Sequence, residues 1–508
     1  MMETAAEKAL SGQKARKPFF EVQCLSIVCW SCATLRYRES NLMPCIADVV
    51  AKRLHELKPF EVSNMIWAYA KLTMTGTPIF EAVSARMAQR QRGSFGPQCL
   101  SMIVWAFATV KCRDTMLFAD VASEIIATAS LTKPQEVANT LWAYAKTRCI
   151  SLDLFDKLAN TAIHNDMIWD FKPQELANML WAFATVGHKH GALFSTASEV
   201  AMNKRYQLSP QNIANILWAY AKLGAPQRSA LFPALLGVSV GMTNHKPKEI
   251  SAIAWASAQE NFQADLKCPG GNTQMAYNRL QELSPRGLAS VAEAFAYADD
   301  GSEEFNDALM TESMERLHHF GHTALANLFR GVVLVARRVR NTRKELGERE
   351  KTMLKSIGSY ISWQVENFCD TDLEHVAHSL NILGPSLQEL TGGLSMVMSL
   401  KDSRLAAEVL KAEARDPDLE ALGAHILDDF APDMDDDEKQ PDVFLGNNTD
   451  AGYYYHGMAF RTSQGHGTSS GSGCAGRAWQ APHHAGSHEA DWGSYTRGAA
   501  DWSYLQRW

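Results

Sequence analysis

Residues Pro173–Gly187 read PQELANMLWAFATVG, and Pro210–Gly224 read PQNIANILWAYAKLG, the same frame 37 residues further on. The apolar letters exchange freely between the two copies, while Gln, Asn and Trp keep their places. Self-similarity at a fixed period is the mark of repeat architecture. With the Trp as marker, the frame recurs at Trp30, Trp67, Trp105, Trp142, Trp181, Trp218 and Trp255, at spacings of 37, 38, 37, 39, 37 and 37. Two degenerate copies follow at 38 and 37, with Glu293 and Arg330 in the Trp slot, and a tenth carries Asn381 after about 14 inserted residues.

At about 100° per residue, Leu176, Met179, Leu180, Phe183 and Val186 fall on one broad face, as Ile213, Ile216, Leu217, Tyr220 and Leu223 do in the next copy. This is an amphipathic helix opened by Lys-Pro or Ser-Pro, where proline is tolerated, and closed in two copies by Gly187 or Gly224. Thirteen residues after the Trp a second signal recurs: Phe80, Phe118, Phe155 and Phe194, with apolar i, i+3, i+4, i+7 spacing around it. Each repeat is therefore a helical hairpin, with Ala177, Ala182 and Ala184 letting neighbouring helices approach closely. The fold expected is an all-α solenoid of about nine to ten hairpins of 37–39 residues, because only stacking buries a core that one unit lacks.

The expected organisation is an N-terminal extension (1–17), seven regular repeats (18–267) and degenerate repeats (268–427) with a charged insertion near 337–351. A disordered tail (428–508) follows, acidic and then rich in Gly, Ser, His and isolated aromatics, with too little periodic apolar content to fold. Residues 1–355 carry a net charge of +7 and residues 356–508 one of −14, so the repeats are mildly basic and the tail acidic. Cys29-x-x-Cys32 has the form of a redox or zinc half-site, but both residues occupy apolar positions of the frame and read as buried free thiols of a reducing compartment. No run of about 18 apolar residues predicts a membrane span, and no transit peptide is evident at the N-terminus.

Gln174, Asn178, Trp181 and Thr185 fall within roughly 60° of one another, opposite the apolar face. The equivalent sets are Gln135, Asn139, Trp142, Lys146; Gln211, Asn215, Trp218, Lys222; and, with Phe60 replacing Gln, Asn64, Trp67, Lys71. Two accounts stand. In one, Trp packs between adjacent first helices and the amides satisfy backbone groups at repeat junctions. In the other, the stripe is a ligand-reading surface: the Trp slot accepts Glu293 and Arg330, charged residues rarely buried unless paired, and the flanking slots vary at fixed addresses.

The motif SPQNIANILWAYAKLG at a period near 38 resembles the octotricopeptide repeat of algal organelles and the heptatricopeptide repeat, and is similar to the leucine-rich region of FAST-kinase-like proteins and to RNA-editing substrate-binding complex proteins. The resemblance covers about residues 18–345. It implies an RNA-binding solenoid acting in the mitochondrion, or alternatively the plastid, on transcript stability, processing, translation or rRNA maturation. Single-stranded RNA, mRNA or rRNA, is the implied ligand, with ribonucleoprotein or ribosomal proteins as further partners. The RAP domain that often ends such proteins has no counterpart here. Amides pair with base edges, Trp stacks on bases and Lys meets phosphate. The predicted RNA contacts are accordingly Asn64, Lys71, Gln135, Asn139, Lys146, Gln174, Asn178, Thr185, Gln211, Asn215 and Lys222.

No catalytic constellation falls on periodic sequence. GTSSG (467–471) matches a hydrolase nucleophile pattern but lies in the tail, and His318, His319, His322, His375 and His378 share no recognised metal-ligand spacing. The chain reads as a non-enzyme without metal or cofactor. A protein-binding scaffold of HEAT or armadillo type is the competing reading, since a solenoid alone does not choose between them.

Overall fold

The computed structural model describes residues 21–38, 41–259, 276–297, 303–343, 346–384, 388–394 and 398. The expected extension (1–17), the turn-rich CPGGN (268–272) and the tail (428–508) lie outside them. All described residues belong to one compact unit, residues 1–436, and among them there is no strand.

First helices of successive repeats are α1 (Val22–Thr34), α3 (Pro59–Lys71), α5 (Pro97–Thr109), α7 (Pro134–Thr147), α9 (Pro173–Thr185), α11 (Pro210–Leu223), α13 (Pro247–Gln259), α14 (Pro285–Tyr297), α16 (His322–Arg343) and α18 (Asp370–Leu383). Second helices are α2 (Leu42–Arg53), α4 (Ile79–Gln89), α6 (Thr115–Ala127), α8 (Leu152–His164), α10 (Gly191–Asn203), α12 (Arg228–Val240), α15 (Glu303–Glu315) and α17 (Glu348–Gln364). Successive first helices pack on one another along their length, whereas second helices meet over shorter stretches. The result is a two-layer α-solenoid whose first-helix layer is the more tightly packed.

Proline starts α3, α5, α7, α9, α11 and α13 at a position whose N–H has no helical partner. Lysine at the N-cap offers no acceptor, so the cap is half a capping box. The N3 carboxylate reaches back to the N-cap N–H, Lys58 to Glu61 at 2.7 Å, Lys133 to Glu136 at 3.0 Å, Lys172 to Glu175 at 2.8 Å and Lys246 to Glu249 at 2.8 Å. Ser209 and Asn212 complete the reciprocal box at α11. Six first helices end on a left-handed residue at the same address, six after the Trp: Arg36, Thr73, Lys111, Arg148, Gly187 and Gly224. In five of them the next N–H bonds back to the carbonyl five residues earlier, as Tyr37 to Cys32 and His188 to Phe183, which is the Schellman closure.

The Phe signal thirteen residues after the Trp has its partner in the following repeat, at the aromatic two after the next Trp. Phe80 meets Phe107, Phe118 meets Tyr144, Phe155 meets Phe183 and Phe194 meets Tyr220, all edge to face at 4.9–5.4 Å. Where that aromatic is Tyr, its hydroxyl donates to the carbonyl of the same second-helix residue: Tyr69 to Met43 at 2.7 Å, Tyr144 to Phe118 at 2.5 Å, Tyr220 to Phe194 at 2.6 Å. A cation near the end of one second helix also clasps carbonyls beside the 3-10 turn of the repeat before, as Lys204 does with Trp169 and Phe171, both at 2.6 Å.

Among the described residues the insertion before the tenth copy is largely helix. α16 and α17 run 22 and 17 residues against the usual 13, so charged residues 337–343 extend one helix and 348–351 open the next. α18 packs on α16 as a further first helix.

Candidate nucleic-acid interface

Trp67, Trp105, Trp142, Trp181, Trp218 and Trp255 are buried, between 0 and 8% exposed. The Trp slots of adjacent repeats face one another: Trp105 and Trp142 lie 6.3 Å apart between ring centroids, and Trp218 and Trp255 lie 6.5 Å apart. Glu293 and Arg330, one repeat apart, follow the same geometry with charge in place of rings, Arg330 Nε lying 3.2 Å from Glu293 Oε1. Charge in the Trp slot therefore does not mark it as open, as the sequence suggested. The two charges are accommodated because they pair. Burial pushes the Glu293 carboxyl above the usual carboxylate range, against the opposing pull of Arg330.

Of the predicted contacts, Asn139, Asn178, Gln211 and Asn215 are buried, and Asn64, Lys71, Gln135, Lys146, Gln174, Thr185 and Lys222 are half-buried. The stripe is thus a seam along the first-helix layer, with its amides and rings inside and its long side chains at the margins. Lys222 lies over the Trp218 ring with Nζ 5.0 Å from the centroid, a cation–π contact that bridges the two. Several buried polar atoms of the seam make no hydrogen bond within the chain: the indole Nε1 of Trp142, Trp181 and Trp218, Asn178 Oδ1 and Thr185 Oγ1. Such groups are uncommon in folded proteins and costly, about 1–3 kcal/mol each.

Sequence reasoning missed the basic residues in the left-handed closures, Arg36, Lys111 and Arg148. Their signal was the register itself, since they stand where Gly187 and Gly224 stand.

Cys29 and Cys32 are free thiols, both buried as expected. Burial pushes the Cys29 thiol up to about 12, and its sulfur lies 4.0 Å from the Tyr69 hydroxyl. Among the described residues no group of three or more His, Cys, Asp or Glu side chains is arranged to hold a metal, and no helix is long and apolar enough to cross a membrane.

A search of curated proteins gave no match. The family model of the RNA-editing substrate-binding complex 6 protein matches residues 6–332, which takes in all seven regular repeats and the first of the degenerate ones. The stacked hairpins, their Trp register and this match agree: the chain belongs to the RNA-editing substrate-binding complex 6 protein family, which ties it to RNA-editing complexes and RNA metabolism.

Proposed function

We propose that the chain binds single-stranded RNA along its first-helix layer, as a non-catalytic member of a mitochondrial RNA-processing assembly. What carries the reading is the accessible margin of the seam, where Gln135, Gln174, Lys71, Lys146 and Lys222 are half-buried along successive first helices. Amides pair with base edges and lysines meet phosphate. Beneath them the indole Nε1 of Trp142, Trp181 and Trp218 and the amide oxygen of Asn178 make no hydrogen bond within the chain. The organelle and the absence of catalysis belong to this reading through the family resemblance and the lack of a catalytic constellation in the sequence. Crosslinking the protein in cells and sequencing the RNA recovered with it tests the reading. Enrichment of defined mitochondrial transcripts is expected, and recovery of no RNA above background would sink it.

A protein contact is the second reading, favoured by a different edge. Leu131, Trp169 and Tyr206 lie exposed on the 3-10 turns that follow three successive second helices. Such a row suits a neighbouring subunit of a ribonucleoprotein.

A further inference from the structure

The two edges of the first-helix layer carry different charge. At the N-terminal edge the N-cap lysines are interleaved with carboxylates, Glu61, Glu136, Glu175 and Glu249, each held in its cap. At the opposite edge the described residues of the hairpin turns, 34–38, 71–78, 109–116 and 146–153, hold seven cations and two carboxylates. One of the two, Asp114, is committed to the α6 N-cap, accepting from the Leu117 N–H at 3.0 Å and from the Ser84 hydroxyl. The other, Asp153, lies in the first turn of α8. Arg36, Lys111, Arg113 and Arg148 are exposed, and Lys71 and Lys146 half-buried beside them.

The placement of these cations is not what helix closure requires. Lysine or arginine in a last helical turn offsets the helix dipole, and Lys71 and Lys146 do that from ordinary helical backbone. Arg36, Lys111 and Arg148 instead occupy left-handed backbone, φ 52–58°, that side chains adopt at a cost. Gly187 and Gly224 perform the same closure in repeats five and six. Glycine would close the other four helices as well; a long cation stands there in three of them, and Thr73 in the fourth. Neighbouring helices pack about 8–10 Å apart, close to the Debye length of about 8 Å at physiological ionic strength. The cations of successive turns therefore repel one another, and in one place the chain draws them together: Arg113 Nη2 donates to the Arg148 carbonyl at 3.4 Å. A polyanion laid along the turns relieves that repulsion and releases counterions.

We infer that the hairpin-turn edge of the first four repeats is a phosphate track that carries the RNA backbone while the seam faces the bases. The inference rests on the RNA reading above and extends it by placing the backbone, and with it the direction from which bases enter. It makes the N-terminal repeats the source of affinity, and leaves base preference to the half-buried Gln135 and Gln174 of repeats four and five.

The test uses the full chain and a fluorescent single-stranded oligouridine across a salt series. In the variant Arg36→Gly/Lys111→Gly/Arg148→Gly each substitution relieves a left-handed position, so the melting temperature should hold or rise. Affinity at low salt should fall by about tenfold or more, and the salt slope should become shallower by roughly 2, at about 0.7 per phosphate contact for single strands. A second variant, Arg38→Gln/Arg113→Gln, removes two exposed cations on unstrained backbone and should flatten the slope by roughly 1. It keeps the track open to refutation should the glycine variant misfold. Unchanged affinity and slope in the folded variants overturn the track and leave the RNA reading standing. A wild-type chain that binds no oligouridine at low salt overturns both.

Discussion

At repeats six and seven the Trp slot holds two rings, Trp218 and Trp255, fully buried. In the next two slots along the same seam, at repeats eight and nine, it holds Glu293 and Arg330. The helices around the ion pair come unusually close, since a Cβ on Gly331, next to Arg330, would lie 2.9 Å from the backbone of Ala292 and Glu293. Rings that fill space have given way to an interhelix contact so tight that one partner is glycine, with the slot's side chains joined by charge. The comparison teaches what the slot is for: it is the place where one repeat meets the next, and its chemistry is free as long as neighbours match.

The largest effect that tests this comparison is at Trp218. Its replacement by Ala should cost about 3–5 kcal/mol in denaturant unfolding, the usual range for a fully buried large aromatic. A loss under about 0.5 kcal/mol, the range of surface substitutions, would mean that the slot is a surface and that ring and ion pair are unrelated. Glu293→Ala should cost less, about 1–3 kcal/mol. It strands Arg330, but that side chain keeps 24% of its exposure and rehydrates where a fully buried partner would not. Gly331→Ala should fall in the same range, about 1–3 kcal/mol, because backbone and not a flexible side chain blocks the new methyl.

How much of this was legible in the sequence follows from what periodicity encodes. The Trp register and the apolar wheel place every first helix, since core faces repeat with the helix period. The Phe at thirteen after the Trp was visible as a signal, but its partner stands in the next repeat, so one copy read alone hides the edge-to-face pair. A wheel gives the direction of Asn178 and Trp181 and says nothing of what covers them, so the burial of the stripe was not legible. The left-handed closures at Arg36, Lys111 and Arg148 lack the glycine cue, and only their register with Gly187 and Gly224 marks them. The Glu at N3 after Lys-Pro is readable in four copies, and its cap explains why that stretch varies so little.

A smaller effect sharpens the contrast between repeats that carry Tyr and Phe at the slot two after the Trp. Tyr220→Phe keeps the edge-to-face contact with Phe194 and removes one hydrogen bond, which leaves the Phe194 carbonyl without that donor. A loss of about 1 kcal/mol is expected. Phe183→Tyr should recover part of that amount in repeat five, since Phe155 offers the equivalent carbonyl across the same 5.0 Å ring pair. Opposite signs for the two substitutions in thermal melts would support a shared inter-repeat hydrogen bond. Equal losses would mean that the fifth interface is packed too tightly for a hydroxyl.

The smallest effect is the pH dependence of the ion pair, and its sign is fixed by which cause dominates at Glu293. Burial raises its pKa more than Arg330 lowers it, so the folded state binds the proton more tightly than the unfolded chain does. Its favourable contribution is complete below the ordinary carboxylate pKa and is lost as pH rises through the raised value. Glu293→Gln mimics the protonated form at every pH. The stability of the wild type relative to this variant should therefore decline from acid toward neutral pH and level off above the raised pKa. His375 also feels Arg330, and its own pKa is lowered, chiefly by burial; taking the difference between the two proteins largely removes that contribution. A difference that grows with pH instead would show that attraction to Arg330 outweighs the cost of burying the carboxylate. The charged slot would then be a stabilising contact in its own right, and not merely a tolerated substitute for the two rings.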